Sequence, residues 1–357
     1  MDNFLSLLQN ALWQQGDVPK SLTVKTFKQI RETGNQQTVF GLIADALVRN
    51  NVQTNDDCTM LAMAELMIHQ RQAKNINRGV AELAALLNEA KIEYIVFKGQ
   101  TIAALYPKPE LRTAGDIDFY VPAKDFQRAK TLIQEQWNVE FSEEEIDKHL
   151  DFERNEIRYE MHYRTETFGS KKHQRYFDQL IDNAVTHPSK IQIANTSVNV
   201  LPPTENLLLV FKHLFNHLLV EGVGLRQFCD LAILLNRHKE QIDASLLQRH
   251  LHKIGYWRAF KATESVLEQQ LALPAESLPY ETGKIDNYFG RKMTKEIFKR
   301  GNFGKFNRKE NTEGKGKSIE TARIAFAHCC QYFWLAPKDI LCLIPKRIKI
   351  SLSKYFL

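Results

Sequence analysis

The stretch from Tyr94 to Val121 limits the fold more than any other part of the chain. Tyr94-Ile95-Val96-Phe97 is a continuous apolar and aromatic run that stops at Lys98-Gly99, which suits a buried strand ending in a turn. Helical spacing resumes from Gln100 to Tyr106 and ends at Pro107 and Pro109, because proline lacks the N–H a helix interior needs. Asp116 to Val121 then alternates, with Ile117, Phe119 and Val121 on one face and Asp116, Asp118 and Tyr120 on the other, the period of a strand. Two strands joined through a glycine turn require a sheet. The flanking sequence is helical.

Upstream, Thr59 to Ala90 carries apolar residues at three- and four-residue steps (Leu61, Ala64, Met67, Ile68, then Val80, Leu83, Ala84, Leu87), the spacing of amphipathic helices. Downstream, Ala123 to Gln136 predicts a helix and Val139 to Phe141 a short strand. Glu156 to Tyr163 alternates again, with Glu156, Arg158, Glu160 and His162 sharing a face. Lys190 to Leu201 predicts a hairpin around Asn195-Thr196. After Pro202-Pro203 the pattern is helical, and no internal repeat is found. The expected class is α+β: a helical segment over 1–88, a small mixed α/β core over 89–201, a helical domain over 202–290, and a basic segment with C-terminal helices over 291–357.

Charge and cysteine content narrow the setting. The 48 Lys and Arg exceed the 42 Asp and Glu, a net +6. Ten of the basic residues, against three Glu, fall between Arg291 and Lys317 among four glycines and three asparagines. That run reads as a loosely structured, solvated linker; a patch for phosphate-rich partners is the alternative. Five cysteines, an odd number without C-x-x-C spacing, argue against a disulfide framework or zinc ribbon. No secretory leader or membrane span is expected, and a cytoplasmic location is. Lys346, Arg347, Lys349 and Lys354 stand beside Ile, Leu and Phe, which suits a packed C-terminal helix better than one on a membrane surface.

Asp116 and Asp118, two apart on a strand, leave one face with backbones roughly 7 Å apart. Such acids repel unless a cation lies between them, and Mg²⁺ takes a few carboxylates together with phosphate oxygens. Glu160, mid-strand on the polar face of its own segment, is the candidate third acid; a cross-sheet pair with Arg112 or Arg158 is its plainer role.

These residues resemble the DNA polymerase β-like nucleotidyltransferase superfamily, and more closely a bacterial family of uncharacterised nucleotidyltransferases. The likeness rests on Lys98-Gly99, the phrase LRTAGDIDFYV from Leu111, Glu160-x-His162, Lys212-His213, and GLRQFCDLAILL with Arg226 and Asp230. The turn reads Gly99-Gln100 where the superfamily has Gly-Ser or Gly-Gly. The resemblance implies Mg²⁺-dependent transfer, with Mn²⁺ an alternative, of a nucleoside monophosphate from a nucleoside triphosphate to an unknown acceptor. A small molecule, sugar or protein hydroxyl is favoured over nucleic acid. It implies Asp116, Asp118 and Glu160 as metal-holding catalytic residues, with Glu160 a ligand or the general base. Lys98, Gly99, Gln100, Thr101 and Arg112 become phosphate contacts, Arg112 more than Lys98 facing the leaving pyrophosphate.

His162 is open to a metal-side, acceptor-side or structural role. His213 and His217 share a helix face without the Glu of a zinc-protease pattern. With Arg226 and Asp230 they suit a buried polar network better than a nucleotide or acceptor contact. Two rivals differ in class. A D-x-D glycosyltransferase would need a longer βαβ half before its motif; a non-catalytic module that kept the fold has the Gly99-Gln100 turn for it and the three retained acids against it.

Overall fold

The helical periodicity of the first ninety residues folds as α1 (Asp2–Trp13), α2 (Val24–Gln36), α3 (Phe40–Arg49) and the long α4 (Asp56–Glu89). Asn55 caps α4, its side chain accepting from the Cys58 N–H at 3.1 Å, as N-cap asparagines do. There follow β1 (Ile95–Phe97), α5 (Gly99–Ala103), β2 (Ile117–Tyr120), α6 (Ala123–Trp137), β3 (His149–Arg154), β4 (Ile157–His162) and α7 (Lys171–Val185). Then come β5 (Ser189–Ile193), β6 (Thr196–Val200), α8 (Pro203–Val220), α9 (Leu225–Arg237), α10 (Ala244–Ile254), α11 (Trp257–Leu271), α12 (Lys284–Arg300) and α13 (Lys315–Gln331). This computed structural model describes residues 1–142, 148–220, 222–304, 306 and 315–343. The protein is α+β.

Its contacts divide the chain into two compact units. The first comprises Met1–Arg31, Val39–Thr167 and Asp178–Asn206, and the second Glu32–Thr38, Phe168–Phe177 and Leu207–Leu357. Among the described residues the first unit holds a four-stranded sheet of order β1-β2-β4-β3 and the β5-β6 hairpin. Strands β1 and β2 are antiparallel, β2 and β4 parallel, β3 and β4 antiparallel. One face of the sheet packs Ile117, Phe119, Ile157, Tyr159 and Met161 against Val80, Leu83 and Leu87 of α4. Gly79 permits that approach. A Cβ there would lie 2.6 Å from the Tyr159 hydroxyl and 3.0 Å from Ile157 Cδ1.

Two expectations fail for identifiable reasons. Val139–Phe141 is not a strand: Asn138 ends α6 with a left-handed φ of 50°. Phe141 then buries its ring against Phe152, 4.8 Å between centroids, so its apolar surface is covered without ladder pairing. The edge strand is β3, whose HLDFER sequence alternates polar and apolar from His149 to Glu153. The basic run from Arg291 is not loose at its start either. It continues α12 through Arg300, because Phe289, Met293 and Ile297 recur every four residues and are buried. Residues 305, 307–314 and the C-terminal Lys346, Arg347, Lys349 and Lys354 lie outside the described residues.

The second unit is helical and has a charged interior. Lys212 is fully buried, its Nζ 4.2 Å from the Phe168 ring centroid and 4.8 Å from that of Tyr256. Asp339, 1% exposed, accepts from the Tyr256 hydroxyl at 2.5 Å and the Ser170 N–H at 2.9 Å. Burial pushes the Asp339 carboxyl up, and the His173 imidazole, the Lys212 ammonium and these donors outweigh it, leaving it below its ordinary range. Among the described residues no helix is long and apolar enough to cross a membrane, and all five cysteines are free.

Candidate active site

Sheet register assembles the site. Residues paired across neighbouring strands project to the same face, so the partnering Asp118↔Glu160↔Asp151 makes one row across β2, β4 and β3. The next row sets His162 on β4 opposite His149 on β3. This is the face opposite the α4-backed core.

Lys98 enters from the end of β1. Its backbone takes φ 58°, ψ −146°, a sparsely populated region for a residue with a Cβ, and Gly99 follows at φ 39°. The turn is fixed from within: Thr101 gives its hydroxyl to the Lys98 carbonyl at 2.6 Å and its N–H to the same oxygen at 3.0 Å. Gln100 donates to Asn77 on α4 at 2.6 Å. The buried Lys98 ammonium thus lies 3.1 Å from Asp118 Oδ1. Burial alone would lower its pKa; Asp118, Glu166, Glu160 and Asp116 together raise it, so it is a firm cation.

His162 is fully buried and bridges the acids. Its Nδ1 lies 3.2 Å from the Arg164 carbonyl, which can only accept, so Nδ1 carries hydrogen. The other nitrogen, Nε2, lies 3.0 Å from Asp118 Oδ1 and 3.4 Å from Glu160 Oε2. Burial pushes Glu160 up, but the hydrogen bond from His162 and the nearby His149 prevail and bring it down to about 2. Asp116 goes the other way, pushed up to about 6 by burial, by the charges of Asp118 and Glu160, and by its hydrogen bond to Glu160. Like charges crowded at one site part their proton affinities in this manner.

His149 and Asp151 carried no signal in the sequence reading, because their strand was misplaced; the alternation of HLDFER was the clue available. His149 Nε2 is 3.7 Å from Glu160 Oε2 and 3.1 Å from Asp151 Oδ1, the latter not aligned as a hydrogen bond. Arg158, more than half exposed, reaches Asp151 at 2.5 Å and Glu160 at 3.5 Å.

The cluster is rich in acid. The carboxyl groups of Asp116, Asp118, Glu160 and Asp151 gather here, with Lys98 against Asp118 and Arg158 against Asp151 and Glu160. Glu166 has its own Lys148 at 3.9 Å. Carboxylates gathered in this way are ligands of the kind that hold a divalent cation. Buried ring nitrogens of His149 without a hydrogen-bond partner point the same way, so the residues present fit a cation.

The remaining candidates stand on other elements. Arg112 is buried at the end of a 3₁₀ turn, its Nη1 3.4 Å from the Thr113 carbonyl. His213 and His217, one turn apart on α8, hold their rings 4.4 Å apart at 72°. Arg226 and a buried Asp230 stand on α9, where the Arg226 N–H donates to the Gln37 carbonyl at 3.4 Å. These four belong to the second unit, and the acids to the first.

Comparison with known proteins bears on this arrangement. No curated protein matches the chain. Among solved structures, it is similar to the crystal structure of an antigenic nucleotidyltransferase-like protein from Paracoccidioides brasiliensis. That likeness has 14% identity and a TM-score of 0.34 over 57% of this chain and 93% of that one, too distant to bear on the site. The profile of the family described as "Uncharacterised nucleotidyltransferase" matches residues 27–269, a span that takes in the acids, the Lys98-Gly99 turn and helices α8 to α10. The chain belongs to the uncharacterised nucleotidyltransferase family.

Proposed function

We propose that the protein transfers a nucleoside monophosphate from a nucleoside triphosphate to an acceptor hydroxyl on a small molecule, sugar or protein. Asp116, Asp118 and Glu160 would hold the divalent cation, Mg²⁺ or Mn²⁺. One observation carries this reading: Asp118 and Glu160 are register partners across parallel strands, and Asp116 lies close enough to both for their charges to push its carboxyl up.

In such a transfer the acceptor oxygen bonds to the α-phosphorus. The α–β phosphoanhydride bond breaks, pyrophosphate leaves with its electron pair, and the hydroxyl proton passes to solvent or a carboxylate. A bound cation supplies the positive charge that draws the triphosphate to this face and offsets charge on its oxygens. The chain's own residues orient the reactants. Gly99, without a Cβ, leaves room for backbone to approach phosphate, while Lys98 has a donor to offer a phosphate oxygen in place of Asp118. Gln100 and Thr101 hold the turn in shape through Asn77 and the Lys98 carbonyl. His162 and His149, facing the Glu160 carboxylate, suit Glu160 to be an anionic ligand rather than a base. Arg112 is proposed for the leaving pyrophosphate, and His213, His217, Arg226 and Asp230 for the acceptor side or its supporting network. Nucleic acid is the less favoured acceptor, and the cytoplasm the proposed compartment.

Thermal-shift titration with each of the four nucleoside triphosphates, with and without Mg²⁺, tests the reading. A ligand at a hundred times its Kd stabilises the folded state by about 2.7 kcal/mol. The expected result is a metal-dependent shift for at least one triphosphate that Asp116→Ala/Asp118→Ala abolishes. Equal shifts with and without metal would favour a non-catalytic nucleotide-binding module.

A further inference from the structure

His149, Glu160 and His162 each present a ligand atom, and these three atoms lie within 4.8 Å of one another. A cation with nitrogen and oxygen ligands at about 2.1 Å in tetrahedral array separates its ligand atoms by about 3.4 Å. Glu160 Oε2 stands 3.4 Å from His162 Nε2 and 3.7 Å from His149 Nε2, so only a small adjustment separates the cluster from a coordination sphere. His162 already gives its Nδ1–H to the Arg164 carbonyl, the outer contact that orients metal-binding histidines, and an ion would take Nε2 in place of its present 3.0 Å contact with Asp118 Oδ1. His149 is 95% buried, with both ring nitrogens lacking a hydrogen-bond partner. A buried imidazole so placed costs stability unless something binds it.

We infer that this chain has a mixed imidazole–carboxylate site, His149–Glu160–His162, selective for a first-row transition-metal dication over Mg²⁺. Magnesium prefers an all-oxygen octahedron. Two imidazoles shift preference toward Mn²⁺, Co²⁺ and above all Zn²⁺, in the general order of their affinities for nitrogen ligands. The site shares Glu160 with the proposed transfer centre and rests on that reading to this extent. Its distinctive ligand, His149, comes from β3, on the far side of β4 from the Asp116–Asp118 strand. An ion here would therefore make metal choice a property of the β3–β4 edge.

The test uses the full chain without nucleotide. Electron spin-echo spectroscopy of the Mn²⁺-loaded wild type should show ¹⁴N coupling from imidazole, weakened in His149→Gln. Calorimetry should give Zn²⁺ an affinity at least about tenfold above that for Mg²⁺ in the wild type, with most of that preference lost in His149→Gln. Absence of ¹⁴N coupling in the wild type, or a Zn²⁺-to-Mg²⁺ ratio the substitution leaves unmoved, overturns the inference. The wild-type spectrum decides even if the variant misfolds. The transfer reading is scored separately by the Mg²⁺-dependent triphosphate shift: ¹⁴N coupling without that shift keeps the site and sinks the transferase reading, and the reverse sinks the site.

Discussion

Replacing Lys98 by methionine removes the cation on which the acid cluster depends. The ammonium lies 3.1 Å from Asp118 Oδ1, with both side chains almost out of solvent. At that distance two unit charges attract by about 5 kcal/mol at an effective dielectric constant of ~20, offset by several kcal/mol of desolvation per ion. Removing one partner of such a pair costs about 3–5 kcal/mol, because the other is left buried and uncompensated. The loss should not be symmetric. Lys98 also faces Glu166, Glu160 and Asp116, so Asp118→Asn leaves it partly compensated and should cost nearer 2 kcal/mol, the scale of a charged hydrogen bond. Lys98→Met is expected to lose about 3–5 kcal/mol, and the double variant about 2 kcal/mol less than the sum, as contacting pairs do. Hydrogen exchange of the β2 and β4 peptides in EDTA reads this stability locally. Added Mg²⁺ or Mn²⁺ should restore protection in Lys98→Met more than in Asp118→Asn, since a cation can replace the ammonium only while the carboxylate remains. A coupling below about 0.5 kcal/mol, within the range found for independent sites, would refute the argument, as it would mean that water screens the pair.

Two further substitutions test the packing and the second unit. Glu264 is fully buried, and burial pushes its carboxyl up to about 9, outweighing the nearby Lys261 and the Tyr280 backbone N–H that favour the charged form. Between the ordinary value of 4.5 and about 9 the folded state keeps a proton that the unfolded chain has released, so stability falls as pH rises through that window. At about 1.4 kcal/mol per unit the penalty at pH 7 is about 3 kcal/mol. Glu264→Gln should therefore raise the urea midpoint at pH 8 more than at pH 5, and parallel shifts would count against it. Gly79→Ala would drive a Cβ to 2.6 Å from the Tyr159 hydroxyl; overpacking of this kind costs about 1–3 kcal/mol, readable as a lowered thermal midpoint, and an unchanged midpoint would show that α4 yields freely.

Much of this protein was legible in the sequence where physical causes are local. The apolar spacing of Val80, Leu83 and Leu87 made α4 a helix, because side chains three and four apart share a face. Alternation placed Ile117 and Phe119 opposite Asp118 before any partner strand was known, and the hairpin expected around Asn195-Thr196 forms one residue earlier, turning at Ala194-Asn195 with Thr196 opening β6. The D-x-D pair and the Glu-x-His pair were readable for the same reason: strand period is two.

What lay beyond the sequence was register. Which residue on β3 faces Glu160 depends on how strands slide past one another, and a slip of one residue would turn every side chain to the other face. That choice was made by Phe152 stacking on Tyr159, 4.7 Å between centroids at 7°, together with the core beneath the sheet. It put Asp151 opposite Glu160 and His149 opposite His162, neither visible while Val139–Phe141 stood in as the strand. The strained Lys98 backbone that brings an ammonium to Asp118, from twenty residues away, belongs to the same class. Local periodicity determined which residues could share a face; long-range packing decided which of them met, and so where the charge gathered.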